Sequence, residues 1–401
     1  MSFNRVMAVA AAAGLSAPCA GQWEVRSLHP EGARNSLSFD AAESVQVGWA
    51  LVGMEQHAGL WRGSAATWDD LHPLRARQSQ ILCASDDQQG GVVLIDGVTR
   101  ASLWRGTAAS WTDLHPFGAR ASSVWDIDAD RQVGTVVVGN NAEASLWQGS
   151  SGSRTNLNPP GCTHSEAFAI HGDRQGGMAQ VGNYVRASLW SGTACSWSDI
   201  APADSTDSIV LAMDATFQVG IAVVHGVRRA SLWQGSAGSW VDLHPPGQGA
   251  SEAWGVLDQW QVGWIESNGV RRATLWHGTA ESHIDLGAFL PSGVASSEAR
   301  GVSRDDAFLY ISGFGFNNDR VEALLWKQPL PRCGPADVAG PGQVIGPDGQ
   351  LTADDLIVFM NWFFARDGRA DIASVGQETN PDGVHGADDI IVFINWFFQG
   401  C

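Results

Sequence analysis

Ala101-Ser102-Leu103-Trp104 returns as Ala144-Ser145-Leu146-Trp147, Ala187-Ser188-Leu189-Trp190 and Ala230-Ser231-Leu232-Trp233. Its tryptophan keeps a spacing of 43 residues through Trp61, Trp104, Trp147, Trp190, Trp233 and Trp276, then takes one step of 50 to Trp326. A repeat of about 20 to 50 residues means stacked or radially arranged units, and one of about 40 to 45 with several short strands is the size of a propeller blade. Other columns keep phase with it. A serine opens a first strand at Ser36, Ser79, Ser122, Ser165, Ser208, Ser251 and Ser297. Gln46, Gln89, Gln132, Gln175, Gln218 and Gln261 begin a second, with Gly48, Gly91, Gly134, Gly177, Gly220 and Gly263 two positions on. The Leu-Trp block is a third strand, and the Trp-Thr-Asp-Leu-His-Pro type at 111–116 a fourth. Each run is short, rich in β-branched and aromatic residues and bounded by turn formers, as strands are.

The two ends of the repeat region complete each other. The last unit stops after Leu325-Trp326, while residues 23–30 stand in phase with 66–73, so that Leu28, Leu71 and Leu114 are 43 apart. A strand missing at the back and present at the front closes a ring, whereas an open solenoid gains nothing from the offset. The expected fold is therefore all-β over residues 21–330: a seven-bladed β-propeller with four antiparallel strands per blade, its N-terminal strand completing the last blade. Residues 331–401 are expected to form a small α-helical module, and residues 1–20, with Arg5, an apolar run and a small-residue exit, read as a secretory signal. This predicts an extracellular or cell-surface protein. A net charge of −18 argues against nucleic acid or an anionic membrane surface as partner, and no later stretch reaches the roughly 18 apolar residues of a membrane span.

Among the cysteines left after the leader, Cys333 and Cys401 flank the terminal segment and are expected to pair; closing such a loop contributes about 4 kcal/mol in the chain-entropy model. Cys83 reads as a buried thiol. Cys162 and Cys195 fall in loops placed on opposite faces of a blade, so they are expected to stay reduced. The repeated tryptophans read as blade-to-blade packing. His29, His72, His115 and His244 lie on successive blades, too far apart to share one ion at metal–nitrogen distances of about 2 Å, and read as structural. The candidates for ligand binding lie outside the repeat: Glu166, Glu252 and Glu298 at one channel mouth, with a solvated rim as the other reading, while Trp49, Trp125, Trp254, Trp260 and Trp264 read first as inter-blade packing, with a sugar-stacking platform as the alternative. The order Ser-x-Ala-x-x-Ile, Gln-x-x-Gly, Ala-x-Leu-Trp, Asp-Leu resembles the HAF-type extracellular repeat over about residues 23–327. That resemblance implies secretion and a propeller, with no activity attached.

A second repeat, of period 34, follows. Gly346-Pro347-Asp348-Gly349 matches Asn380-Pro381-Asp382-Gly383, and Asp354-Asp355-Leu356-Ile357-Val358-Phe359 matches Asp388-Asp389-Ile390-Ile391-Val392-Phe393. Acidic residues ahead of an apolar run suit a helix N-terminus. Both helices are apolar nearly all round, so Trp362, Phe363, Phe364, Trp396, Phe397 and Phe398 need a partner and form a candidate docking surface. The duplicate resembles a dockerin module, of the variant that ends in Gly-Cys. The resemblance implies EF-hand-like Ca²⁺ loops, with Asp337, Asp348 and Asp355 as ligands in the first and Asp371, Asn380, Asp382 and Asp389 in the second, and a cohesin-like or cell-envelope protein as partner. Gly346 occupying a ligand position departs from the EF-hand spacing.

No HExxH, GxSxG or P-loop pattern is present, and no acid pair stands out for hydrolysis. The reading that follows is a secreted, non-catalytic propeller that binds a glycan or protein and is attached through its dockerin-like module. The alternative is a polysaccharide-degrading propeller, a glycoside hydrolase or lyase, tethered the same way.

Overall fold

In a computed structural model of the chain, the serine column fastens each blade to its neighbour. The N–H of Ala58 donates to Ser79 Oγ, and the same bond recurs at Ala101–Ser122, Ala144–Ser165, Ala187–Ser208, Ala230–Ser251 and Ala273–Ser297. Ala323–Ser36 completes the circle. The structure describes residues 23–401 apart from 44, 86, 318–319, 331–333, 341, 347–349, 375–376 and 400–401. These fall into two units, Trp23–Gln328 and the chain from Pro329 onward. The signal-sequence reading at 1–20 lies outside the described residues.

The first unit consists of seven four-stranded antiparallel sheets, the first built from Ser36–Ala42, Val45–Val52, Glu55–Trp61 and Asp69–Asp70. The glutamine column ties the second strand to the turn after the third: Gln89 Oε1 accepts the Gly106 N–H at 2.8 Å, and five further blades repeat the contact. Glycine is required beside it because a Cβ on Gly91 would sit 2.0 Å from the Gln80 carbonyl oxygen of the first strand. Gly91→Ala is therefore expected to lower stability by about 1–3 kcal/mol or more, read by thermal denaturation. The repeated tryptophans, Trp61 to Trp326, are all fully buried, as expected. Trp104 packs among Val47, Leu60 and Leu71 of the preceding blade, and its indole donates to the Leu71 carbonyl at 3.0 Å.

Ring closure is as expected. Glu24–Ser27 pairs antiparallel with Arg320–Pro329, Glu24 opposite Lys327 and Ser27 opposite Leu324. Leu28, fully buried, joins Trp61, Tyr310, Ala323 and Leu325 in one cluster, and its N–H donates to Ala323 O at 2.8 Å. The last blade absorbs its extra residues in a short 3-10 turn at Leu286–Phe289 and in strands of 11, 10 and 10 residues.

The histidine column is structural and has a definite tautomer. Ser79 Oγ already accepts the Ala58 N–H, so its proton goes to His72 Nδ1 at 2.7 Å, and the Nε2–H of His72 donates to Ala76 O at 3.0 Å. His29 and His115 repeat both contacts, and His244 the contact to its serine. Burial holds all four below the usual histidine value. Their contribution is thus present above about pH 6.5 and is lost as pH falls through the depressed folded value. Just after the third blade's last strand, Asn158 makes both bonds without a titrating ring, to Ser165 Oγ and Cys162 O. His115→Asn is expected to preserve neutral-pH stability and to flatten the decline of melting temperature below pH 6.5, measured calorimetrically against the parent.

The second unit contains α1 (Ala353–Ala365) and α2 (Ala387–Gln399). Phe359 and Phe393, equivalent in the two repeats, stack at 3.8 Å and 11° in its core with Ala336 and Ala370. Thr352 caps α1 in a capping box with Asp355. Of the expected docking residues, Phe364 and Phe398 are more than three-quarters exposed, at 77% and 78%; Trp362, Phe363, Trp396 and Phe397 pack half-buried against the core. Among the described residues, no helix is long and apolar enough to cross a membrane.

Two expectations are corrected here. Two of the carboxylates expected in EF-hand loops hold backbone N–H groups: buried Asp355 accepts from Val338, Ala339 and Thr352, and buried Asp389 from Ile372, Ala373 and Gly386, in strict duplicate. Both oxygens of Asp371 are likewise taken, by the Asp382 and Gly383 N–H groups. Asp337 is buried, while Asn380 and Asp382 are exposed; Asp348 lies outside the described residues. No EF-hand signature is found in the described part of the module. No disulfide is found either among the described residues, where Cys83, Cys162 and Cys195 are free thiols; Cys333 and Cys401 lie outside them. Cys162 and Cys195, expected on opposite faces, line one surface cavity with Trp197.

Candidate functional site

Each blade's first strand carries a β-bulge at the same place, marked by a break in register between Ser38 and Asp40, Ile81 and Cys83, Val124 and Asp126, Ala167 and Ala169, Val210 and Ala212, Ala253 and Gly255, and Ala299 and Gly301; the fifth and seventh blades have a second break near the start of that strand. A bulge re-aims the extra side chain. The seven residues it displaces, Phe39, Leu82, Trp125, Phe168, Leu211, Trp254 and Arg300, all line one cavity of about 920 Å³. Only a central channel can be reached by the first strand of all seven blades, so the bulges build a collar around it: four aromatic rings, two leucines and one arginine.

The residue after the bulge also faces this channel in part. It is Asp40 in the first blade, Cys83 in the second and Asp126 in the third; the other blades carry Ala169, Ala212, Gly255 and Gly301. Both aspartates are half-exposed to the channel yet enclosed by its walls. Desolvation pushes Asp40 up to about 6, against the opposing pull of the Ala84 and Ala41 N–H groups it accepts. Burial raises Asp126 well above the ordinary carboxyl range, with the charges of Asp40 and Asp128 adding to it. Burial also raises the Cys83 thiol, with Asp126 and Asp40 contributing, which keeps it protonated and inert. Two protonatable carboxyls thus flank one arc of the collar.

The arc of blades five to seven, which adjoins Asp40 through Gly301, is cationic. Glu252 is buried, with one oxygen on Arg228 at 2.5 Å and the other on the Trp254 indole at 2.8 Å. Buried Glu298 holds Arg271 at 2.6 Å and Arg300 at 2.5 Å. Arg300 lies over the Trp254 ring at 3.8 Å, and Arg271 over Trp264 at 4.3 Å. Such contacts fix the guanidinium planes.

The sequence-derived candidates separate accordingly. Glu252 and Glu298 come together through the arginines, whereas Glu166 bonds Thr135 and His164 apart from them. Trp125 and Trp254 belong to the collar; Trp260 and Trp264 are buried, and Trp49 is not among the channel-lining residues. Sequence reading missed Asp40 and Asp126, although an acid at in-phase positions 86 residues apart, in a column that is otherwise Cys, Ala or Gly, was the available signal. It also missed the bulge, which no spacing reveals.

A second donor set lies on the first blade, away from the channel-lining residues. Glu55, His57 and His72 place one potential ligand atom each within 4.8 Å of one another. His57 replaces the arginine that other blades pair with Asp113, Asp199, Asp242 and Asp285, and its ring stacks on His72 at 4.0 Å while Nδ1 meets Asp70 at 2.7 Å. The set is of metal-binding type, with one constraint: a metal on His72 displaces Ser79 or Ala76 from a ring nitrogen. The expectation of a propeller equipped only for binding is corrected by these groups. A His–His–carboxylate donor set and a channel that holds two protonatable carboxyls together with ion-paired arginines are equipment for chemistry.

No family model and no curated protein matches the chain. Among solved structures, the β-propeller domain of the Trilobed protease from Pyrococcus furiosus aligns with a TM-score of 0.51 at 9% identity, covering 75% of this chain and 99% of that one. That domain is described as having an open velcro topology; here Glu24–Ser27 closes the ring. A puromycin hydrolase aligns at 0.49 and 7% identity, covering 72% of this chain and 53% of its own, so the chain spans about half its length. An oligogalacturonate lyase from Vibrio parahaemolyticus aligns at 0.49 and 7% identity, covering 78% and 98%. At such identities the likeness establishes the propeller fold alone.

Proposed function

We propose that the propeller is a polysaccharide-degrading enzyme whose site is the central channel. The observation that carries this reading is the pairing, in one cavity, of an aromatic collar with Asp40 and Asp126. Aromatic faces offer flat apolar surface for sugar rings, and Trp125 with Phe168, at 5.5 Å between centroids, gives a two-ring step. Cleaving a glycosidic bond requires a proton for the departing oxygen, and a donor works best when its pKa lies near the working pH. Asp40, pushed up to about 6, meets that condition.

The same reading makes the protein exported through residues 1–20 and extracellular or surface-held. The HAF-type pattern over about 23–327 and the dockerin-like duplicate at 331–401 support that placement. Phe364 and Phe398, equivalent in the duplicate and both exposed, would meet a cohesin-like or cell-envelope partner. The test of activity is incubation of the full-length protein with a panel of neutral and acidic polysaccharides, following new reducing ends and the ultraviolet absorbance of unsaturated products. New ends with unsaturation mean elimination; new ends without it mean hydrolysis. Neither product across the panel sinks the proposal.

A further inference from the structure

We propose that the channel arc of blades five to seven is a carboxylate-binding subsite for a uronate residue, so that the substrate is an acidic polysaccharide. This rests on the reading of the channel as a glycan site and names its substrate class.

The chain as a whole carries a net charge of −18, yet this arc brings three arginines to one wall of the channel. Arg228, Arg271 and Arg300 line the cavity with Glu252, and Glu298 stands behind Arg271 and Arg300. Three guanidinium groups are held by Glu252 and Glu298, with the charge of Glu266 also acting on Arg271. Both oxygens of each glutamate are bonded, one of them to an indole, so the acids orient the arginines. The arginines keep donors in reserve. The side chains of Arg228 and Arg271 are about half-exposed, at 53% and 49%, after making those bonds. Arg300 is partly buried, with 15% of its side chain exposed, and its Nε is enclosed without a partner. A buried N–H without an acceptor is costly, and burial pulls Arg300 below the usual guanidinium value against the pull of Glu298. An arriving anion would relieve both.

The anion's shape follows from the donors. A planar guanidinium fork pairs best with a planar two-oxygen group, and Arg300 is pinned flat on Trp254. A sugar ring stacked on the half-buried collar aromatics and carrying its charge on an equatorial carboxylate meets this donor set. Arg300 is also the one bulge residue of seven that is not apolar, which places a single charge-reading position on a collar otherwise built for stacking.

The experiment is titration calorimetry of the full-length protein with a short oligogalacturonate, its fully methyl-esterified counterpart, a sulfated oligosaccharide and a neutral oligoglucan. The oligogalacturonate is expected to bind at least about tenfold more tightly than the ester, the value of one charge-assisted hydrogen bond, and its affinity to fall with added salt. Arg271→Gln and Arg228→Gln, both at partly exposed positions, are expected to weaken the acid about tenfold and leave the neutral sugar unchanged, with circular dichroism confirming the fold. Equal affinity for acid and ester, preference for the sulfated sugar, or no binding of the acidic oligosaccharide overturns the subsite. The two proposals separate cleanly: cleavage restricted to neutral glycans keeps the enzyme and removes the uronate, while tight acid-selective binding without any cleavage does the reverse.

Discussion

Leu28→Ala is expected to destabilise the propeller by about 2–5 kcal/mol, the range for emptying a fully buried leucine site. The loss falls at the one place where the ring is held without a covalent connection between neighbouring strands. In other blades the leucine of this column sits on a strand that follows directly from its own sheet, as Leu71 and Leu114 do. Leu28 instead arrives from the other end of the chain, and its N–H to Ala323 O reproduces the bond that Leu71 makes to Ala58 and Leu114 to Ala101. Leu71→Ala should cost a similar amount in denaturant unfolding, yet only Leu28→Ala should free Glu24–Ser27 from Arg320–Pro329. Limited proteolysis distinguishes them: early cleavage near Ser27 in the Leu28 variant, none there in the Leu71 variant. A cost below about 1 kcal/mol with no change in proteolysis would mean that the ring does not depend on its front strand.

What the sequence made legible is what the ring repeats. Serine, glutamine, glycine and tryptophan columns each perform one job per blade, so period alone exposes them, and the serine at the first strand proves to be the blade-to-blade clasp. Ring closure was legible because a strand absent at one end appeared in phase at the other. The channel was not, for a physical reason. Its collar consists of bulged residues, and a bulge adds one residue to a strand without altering the blade length, so strict alternation assigns Phe39, Trp125 and Arg300 no special direction. Because collar positions vary from blade to blade, no column advertises them. The terminal module misled in another way. An aspartate ahead of a helix can hold a cation or cap backbone N–H groups, and residue type does not distinguish the two; in the folded module Asp355 and Asp389 cap. His57 shows the opposite failure, since a single replacement of a repeated arginine creates a donor set that only the neighbouring His72 reveals.

Asp126→Asn is expected to lower kcat/KM on a cleaved polysaccharide by about 10²- to 10⁴-fold, the range for removing a proton donor, with KM nearly unchanged. Part of any loss could be structural, because Asp126 Oδ2 accepts the Ile170 N–H across the blade boundary at 2.8 Å. That bond is worth about 1–2 kcal/mol of stability, which a melting curve reports independently of rate. The pH profile separates the roles. In the parent enzyme a carboxyl that must be protonated loses activity as pH rises, and Asp40, at about 6, sets the start of that decline. Stability should move the same way. A folded value raised above the unfolded 3.8 means that the folded state binds more protons between those limits, so its contribution is complete below pH 3.8 and is lost as pH rises through about 6. Because the channel reaches the Asp40 side chain, the loss is on the order of 1–2 kcal/mol, less than a fully sequestered carboxyl would give. The histidine column opposes it, favouring the fold above pH 6.5. The two stability trends therefore oppose each other across this range, while turnover is expected to fall as pH rises through about 6. A rate that keeps rising through neutral pH would remove Asp40 and Asp126 as proton donors while leaving the ring untouched.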